Sequence, residues 1–410
     1  MRRERKRTVT MDGKRRYARV LLRVGLDLKD GQSLFVEAPA GQEDFTVLLT
    51  EEAYAMGCPD VGILWRGDLT EAARLRAGTE AETIGAEELA RYYAGKKAAY
   101  LRLDCPDLTV FEKIPAEELA KKALRDGQVR EIFRAKAAGC GQTIACVPGK
   151  SWADLVYPEL PEEERLAALW DAVLHCTRCD VPNPVAAWSD YLKKTAKRKK
   201  LLGERGYTEF HYHDGSGTDL TVSPAERAFW MGSCIRTEDR VSVPNIPTEE
   251  VFLTPHKYKV NGTVRSTMPL NYKGTLVKGI RLKFEGGRIT GYGAEKGGEA
   301  LASIIESDEG SHYIGEIAFV EQDTPIARLG KLFYTTLYDE NASCHIAIGN
   351  ALGPVRDQEE REALGLNSSR IHVDFMVGSD RLCIDGKRPD GSWEAVFVNG
   401  RWAPDITAGM

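Results

Sequence analysis

Short apolar runs alternate with helically spaced apolar positions through the first half of the chain. Residues 32–38, 61–65, 98–103 and 142–148 are apolar runs of strand length. Between and around them, residues 17–24, 44–56, 86–94, 115–134 and 161–176 repeat apolar positions every three or four, the spacing of helices with one buried face. Strands alternating with helices predict a parallel or mostly parallel sheet with helices on its faces. A basic cluster at 193–200 rides on a helix that ends near Gly203. Beyond it the period shortens to two. Residues 210–222 read as strand, turn, strand, and residues 283–290 read as strand and turn. Asp385-Gly386, Asp390-Gly391 and Asn399-Gly400 are three turn signals with apolar residues close by, which predicts a β-meander at the C-terminal end. One helical pattern, 297–306, interrupts the strands. The expected architecture is an α/β N-terminal domain over 1–210 with a mostly parallel sheet. An α+β C-terminal domain over 211–410 follows, with a largely antiparallel sheet.

Composition narrows the picture. A chain of 410 residues, 42% hydrophobic and 29% charged, is globular and long enough for two cores. A net charge of −5 offers no global basic field for nucleic acid, and the stripe at 193–200 reads as a solvated helix face. No apolar run approaches the length of a membrane span. Basic residues at 1–7 are followed by polar ones, which argues against a secretory signal. Nine scattered cysteines fit reduced thiols in a cytoplasmic protein.

The chemistry gathers in the second half, around few of the seven histidines. His345 follows Glu340 by five residues, and His372 precedes Asp374 by two. Residues i and i+2 of a strand share a face, so His372 and Asp374 can hold one ion or adjacent ions. Imidazole mixed with carboxylate, without a thiolate set, suits zinc, cobalt or manganese. With Glu250 and Glu316 there are enough ligands for a two-metal hydrolytic site. Plainer roles exist for each: His345 as a satisfied core side chain, Glu316 as an outward strand residue. Glu249 competes with Glu250, but neighbours on an extended segment point oppositely. Four other motifs are set aside. Cys176 and Cys179 form a CxxC with no second pair, on an expected helix face that core packing explains. His211-x-His213 has ligand spacing but no assigned partner. The glycines at 139 and 141 are too few for a dinucleotide fingerprint, and 149–151 lacks the opening glycine of a phosphate loop.

Four ordered blocks carry a family resemblance: residues 243–252, 308–319, 337–347 and 371–379. Together they resemble the aminopeptidase T / aminopeptidase S family of dinuclear metallopeptidases, along the whole chain. The resemblance implies metal ligands at Glu250, Glu316, His345, His372 and Asp374, with Glu340 an addition, and Glu316 as catalytic carboxylate. It implies two divalent metal ions, a short peptide substrate and a homodimer whose site faces an enclosed interior. One departure stands out: where the family has a tyrosine thought to assist catalysis, this chain has Leu352. Two alternatives therefore stay open. One is another two-metal hydrolase, an amidase or phosphoesterase; the other is a metal-binding relative with lost or altered activity.

Overall fold

The computed structural model describes residues 11–408 apart from 80–83, 108, 112–113, 138 and 273. The basic stretch at 1–7 lies outside the described residues. The chain divides into two compact units, Met1–Asp190 with Cys234–Pro247, and Tyr191–Ser233 with Thr248–Met410.

In the first unit the apolar runs form a parallel sheet. Its order is Val61–Arg66, Leu34–Pro39, Ala99–Asp104, Gln142–Cys146, Asn245–Ile246. On one side Phe35 and Tyr100 of the sheet stack on Phe133 of the helix Ala116–Lys136, with ring centroids 5.4 and 4.7 Å apart. Tyr93, from the helix Ile84–Gly95, closes the same cluster. The helices Met11–Val20, Glu43–Ala55 and Glu162–Cys176 meet through Tyr17, Phe45 and Trp170. Buried aromatics of this size are the largest apolar contributions to such a core.

The second unit is built on antiparallel pairing, as its shorter period predicts. A sheet of eight strands includes Glu209–His213, Asp219–Pro224, Cys383–Lys387 and Trp393–Val398. A sheet of four runs in the order Val251–Leu253, Ile314–Phe319, His345–Gly349, His372–Met376. Both give one face to a common core: Phe210, Tyr212 and Leu220 from the large sheet, Ile317, Ile346 and Phe375 from the small one. The other face of the small sheet is where the acids and imidazoles gather.

Two sequence expectations need correction. Asp385-Gly386 is not a turn but lies inside the strand Cys383–Lys387. A Cβ on Gly386 would stand 2.5 Å from the Tyr207 ring, so the glycine makes room for an aromatic side chain over a strand. Cys176 and Cys179 do not share a helix face. The helix ends at Cys176, and Arg178 turns the chain with a φ of 57°. Both thiols are nevertheless fully buried.

Candidate metal centre

Each strand of the small sheet brings at least one polar side chain to the same place. Glu250 stands just ahead of the edge strand Val251–Leu253, at the loop-to-strand junction expected for it. Glu316 pairs with Ala347, and Ala347 pairs with Asp374, so the two acids flank a small residue across three strands. His345 and Gly349 lie on the same face of that middle strand, with His372 opposite Gly349. Ala347 and Gly349 leave the floor open for the larger side chains around them.

Glu316 arrives there through a bulge. The register slips between Ile314, opposite Ile348, and Glu316, opposite Ala347. The extra residue is Gly315, and it lets Ile314 and Ile317 both enter the core while Glu316 faces the other way. A Cβ at Gly315 would stand 2.4 Å from the Asn350 backbone, so no other residue fits without a shift.

Distances define the centre. His345 Nε2 lies 3.1 Å from Glu250 Oε2, 3.5 Å from Glu316 Oε1 and 4.0 Å from Asp374 Oδ1. His372 Nε2 lies 3.6 Å from Glu316 Oε2 and 3.5 Å from Asp374 Oδ1. Glu316 thus turns one oxygen toward each imidazole. Donor atoms of Glu250, Glu316 and His345 lie within 4.8 Å of one another, and so do those of Glu316, His372 and Asp374. Glu340 is buried nearby but falls in neither group of three. Its Oε1 accepts a hydrogen bond from Asn341 Nδ2 at 3.4 Å.

The imidazoles are held from behind. His345 Nδ1 donates to the Ser343 carbonyl at 3.2 Å, and His372 Nδ1 donates to the Asn350 carbonyl at 2.7 Å. A carbonyl can only accept, which fixes the hydrogen on Nδ1 and directs Nε2 inward, the arrangement of metal-binding histidines. Sequence reasoning does not find Ser343, Asn350 or Gly315. The first two act through backbone atoms, which any residue type supplies. Only the glycine, set between a core isoleucine and a glutamate, leaves a readable trace.

Protonation points to missing positive charge. Burial, reinforced by the charge of Glu250, pushes the Glu316 carboxyl up to about 7 against the pull of His345. Burial and the charges of Asp374 and Glu250 push Glu340 well above the carboxylate range. Burial opposes charge on His345 and His372, yet their acidic neighbours prevail. His345 is held well above the ordinary histidine range, and His372 is raised to about 10. Asp374, against the cost of its burial, is held low by His372. Glu316 Oε2 and Asp374 Oδ1 are sealed from solvent with no hydrogen-bond donor at normal distance. Buried acceptors without donors are costly, and a divalent cation meets that demand. The donor set therefore fits divalent metal.

Comparison with known proteins agrees. The profile of the thermophilic metalloprotease (M29) family matches residues 12–402. The chain belongs to this family. As a member of a metalloprotease family with groups of side chains able to hold a metal ion, it uses divalent metal. It is 36% identical to aminopeptidase AmpS of Bacillus subtilis over 94% of this chain and 97% of that protein. It is 37% identical to aminopeptidase T of Thermus aquaticus, with the same shares covered. Wild-type AmpT from Thermus thermophilus superposes with a TM-score of 0.88 at 34% identity, over 95% of this chain and 99% of that one. A 2,5-dihydroxypyridine dioxygenase from Pseudomonas putida matches with a TM-score of 0.54 at 14% identity, a likeness of fold alone.

Leu352 sits two residues past Asn350, 40% exposed, and its carbonyl accepts from Thr254 Oγ1 at 3.0 Å. No phenol stands at that position. Among the described residues no helix is long and apolar enough to cross a membrane.

Proposed function

We propose that the chain is a metallo-aminopeptidase that removes the first residue of short peptides, with catalysis in its C-terminal unit. Two divalent cations, of zinc, cobalt or manganese, would be held by Glu250, Glu316 and His345 and by Glu316, His372 and Asp374, with Glu340 beside them. The observation that carries the reading is Glu316, whose two oxygens face two different histidines at 3.5 and 3.6 Å. Names of relatives at 36% and 37% identity support the same activity.

Bound there, a cation pair supplies Lewis-acid polarisation of a peptide carbonyl and makes water acidic enough to attack it near neutral pH. The chain's own part is orientation and proton handling. Ser343 and Asn350 hold the imidazoles, the apolar floor of Ala347 and Gly349 limits water, and Glu316, or a carboxylate close to it with an oxygen not engaged by a cation, carries a proton from attacking water to leaving amine. The acidic surroundings of the site also suit the free amino end of a peptide.

The test combines metal analysis with a substrate panel. Protein purified without chelator should carry two or more ions per chain and cleave leucine- or arginine-anilide. Preferred cleavage of phosphate esters or simple amides would favour another two-metal hydrolase. Metal without turnover would favour a binding relative, the reading that Leu352 keeps open. None of the nine cysteines is joined in a disulfide, and reduced thiols support a cytoplasmic setting. The homodimer belongs to the same proposal and is checked by light scattering.

A further inference from the structure

The sequence motif His211-x-His213 acquires a partner in the fold. Along Glu209–His213, Phe210 and Tyr212 are fully buried in the core, and His211 and His213 stand on the outer face. The neighbouring strand Cys383–Lys387 alternates in the same way, burying Ile384 and turning Asp385 outward. Register places Asp385 opposite His211, and on the other side Asp219 opposite His213. The two rings stack with centroids 5.1 Å apart. Each then reaches diagonally for an acid: His213 Nε2 to Asp385 Oδ2 at 3.1 Å, and His211 Nε2 to Asp219 Oδ1 at 2.8 Å. Donor atoms of His211, His213 and Asp385 lie within 4.8 Å of one another.

We propose that His211, His213 and Asp385 form a second metal site on the outer face of the large sheet, separate from the centre built on Glu316. Two imidazoles on alternate residues of one strand form a chelating pair, and a carboxylate from the adjacent strand supplies the third ligand. Asp219 or water takes the fourth position. Two imidazoles with one or two carboxylates select zinc, copper(II) or nickel(II), not the all-oxygen preferences of calcium or magnesium. Two His–Asp ion pairs are the plainer account of the same contacts. The ion pairs hold each ring on its own acid, whereas a shared cation would draw on donor atoms of His211, His213 and Asp385 that already lie within 4.8 Å of one another. With Asp219 as a ligand the site spans three neighbouring strands, so its occupation staples the sheet.

The site is independent of the proposed peptidase centre, and the experiment reads a difference so that one can fail without the other. Full-length protein and its His211→Ala/His213→Ala variant are dialysed to equilibrium against zinc, and bound metal per chain is measured beside anilide hydrolysis. The expected result is one equivalent fewer in the variant, with hydrolysis unchanged from wild type whatever its level. Equal zinc in both overturns the site. If the double variant loses its circular dichroism signature, Asp385→Asn decides. Weakening of one zinc-binding step by about tenfold or more, the scale of losing a ligand or its support, upholds the site. Unchanged affinity overturns it.

Discussion

In the proposed centre Glu316 would serve two cations, because a carboxylate presents acceptors on both oxygens and each oxygen here faces a different imidazole. Glu316→Gln keeps the shape but turns one acceptor into a donor aimed at a position that wants positive charge. The substitution should lower kcat/KM on leucine-anilide by about a thousandfold. Mass spectrometry of the intact holoprotein should find fewer ions per chain. Full metal content with full activity in this variant would remove the bridging role. Leu352 poses the opposite question, of a group absent rather than present. If the family's phenol assists proton transfer, Leu352→Tyr should raise kcat on the same substrate by about tenfold or more, with KM little changed. An unaltered rate would mean that this member works without that group.

At the scale of elements, Gly315 matters because strict alternation would put Glu316 on the same face as Ile314, in the core. The bulge resolves that conflict, and Gly315 packs against the backbone of Asn350, whose carbonyl orients His372. A single methyl there should disturb both groups. Gly315→Ala is expected to cost about 1–3 kcal/mol of stability and about a hundredfold in kcat/KM. Gly386→Ala overlaps the Tyr207 ring in the other sheet and should cost similar stability while sparing activity. Urea unfolding and anilide kinetics on the pair separate general damage from misplacement of the site. Equal activity loss in both would leave the bulge without a specific role. The comparison also marks what the sequence discloses at this scale. His372 and Asp374 are legible because a period of two puts them on one face. Gly315 and Gly386 are harder to read: a glycine signals a turn, a bulge or a close neighbour equally, and only the packed partner decides. The same limit hides the parallel strand Asn245–Ile246, two residues that join a sheet whose other members end a hundred positions earlier.

For the whole molecule, the four motif blocks and the change of period at mid-chain are enough to anticipate a parallel sheet, an antiparallel one and the family. The likeness to a dioxygenase at 14% identity shows why the blocks matter more than the fold: chemistry resides in the side chains mounted on it. Here that chemistry is bound up with stability. Glu316 Oε2 and Asp374 Oδ1 are buried without donors at normal distance, so removal of the cations leaves the folded state with a cost that the unfolded chain does not bear. By mass action, an ion at about a hundred times its dissociation constant adds about 2.7 kcal/mol per site. For a domain of about 150–250 residues that corresponds to a Tm shift of about 5–10 °C. Chelation should therefore lower Tm by about that amount for each ion lost, and zinc, cobalt or manganese should restore it where magnesium does not. Thermal unfolding in the His211→Ala/His213→Ala background confines the measurement to the centre around Glu316. A Tm that chelators leave unmoved would mean that protons and protein donors alone satisfy these acids, and the centre would then have no standing need of metal.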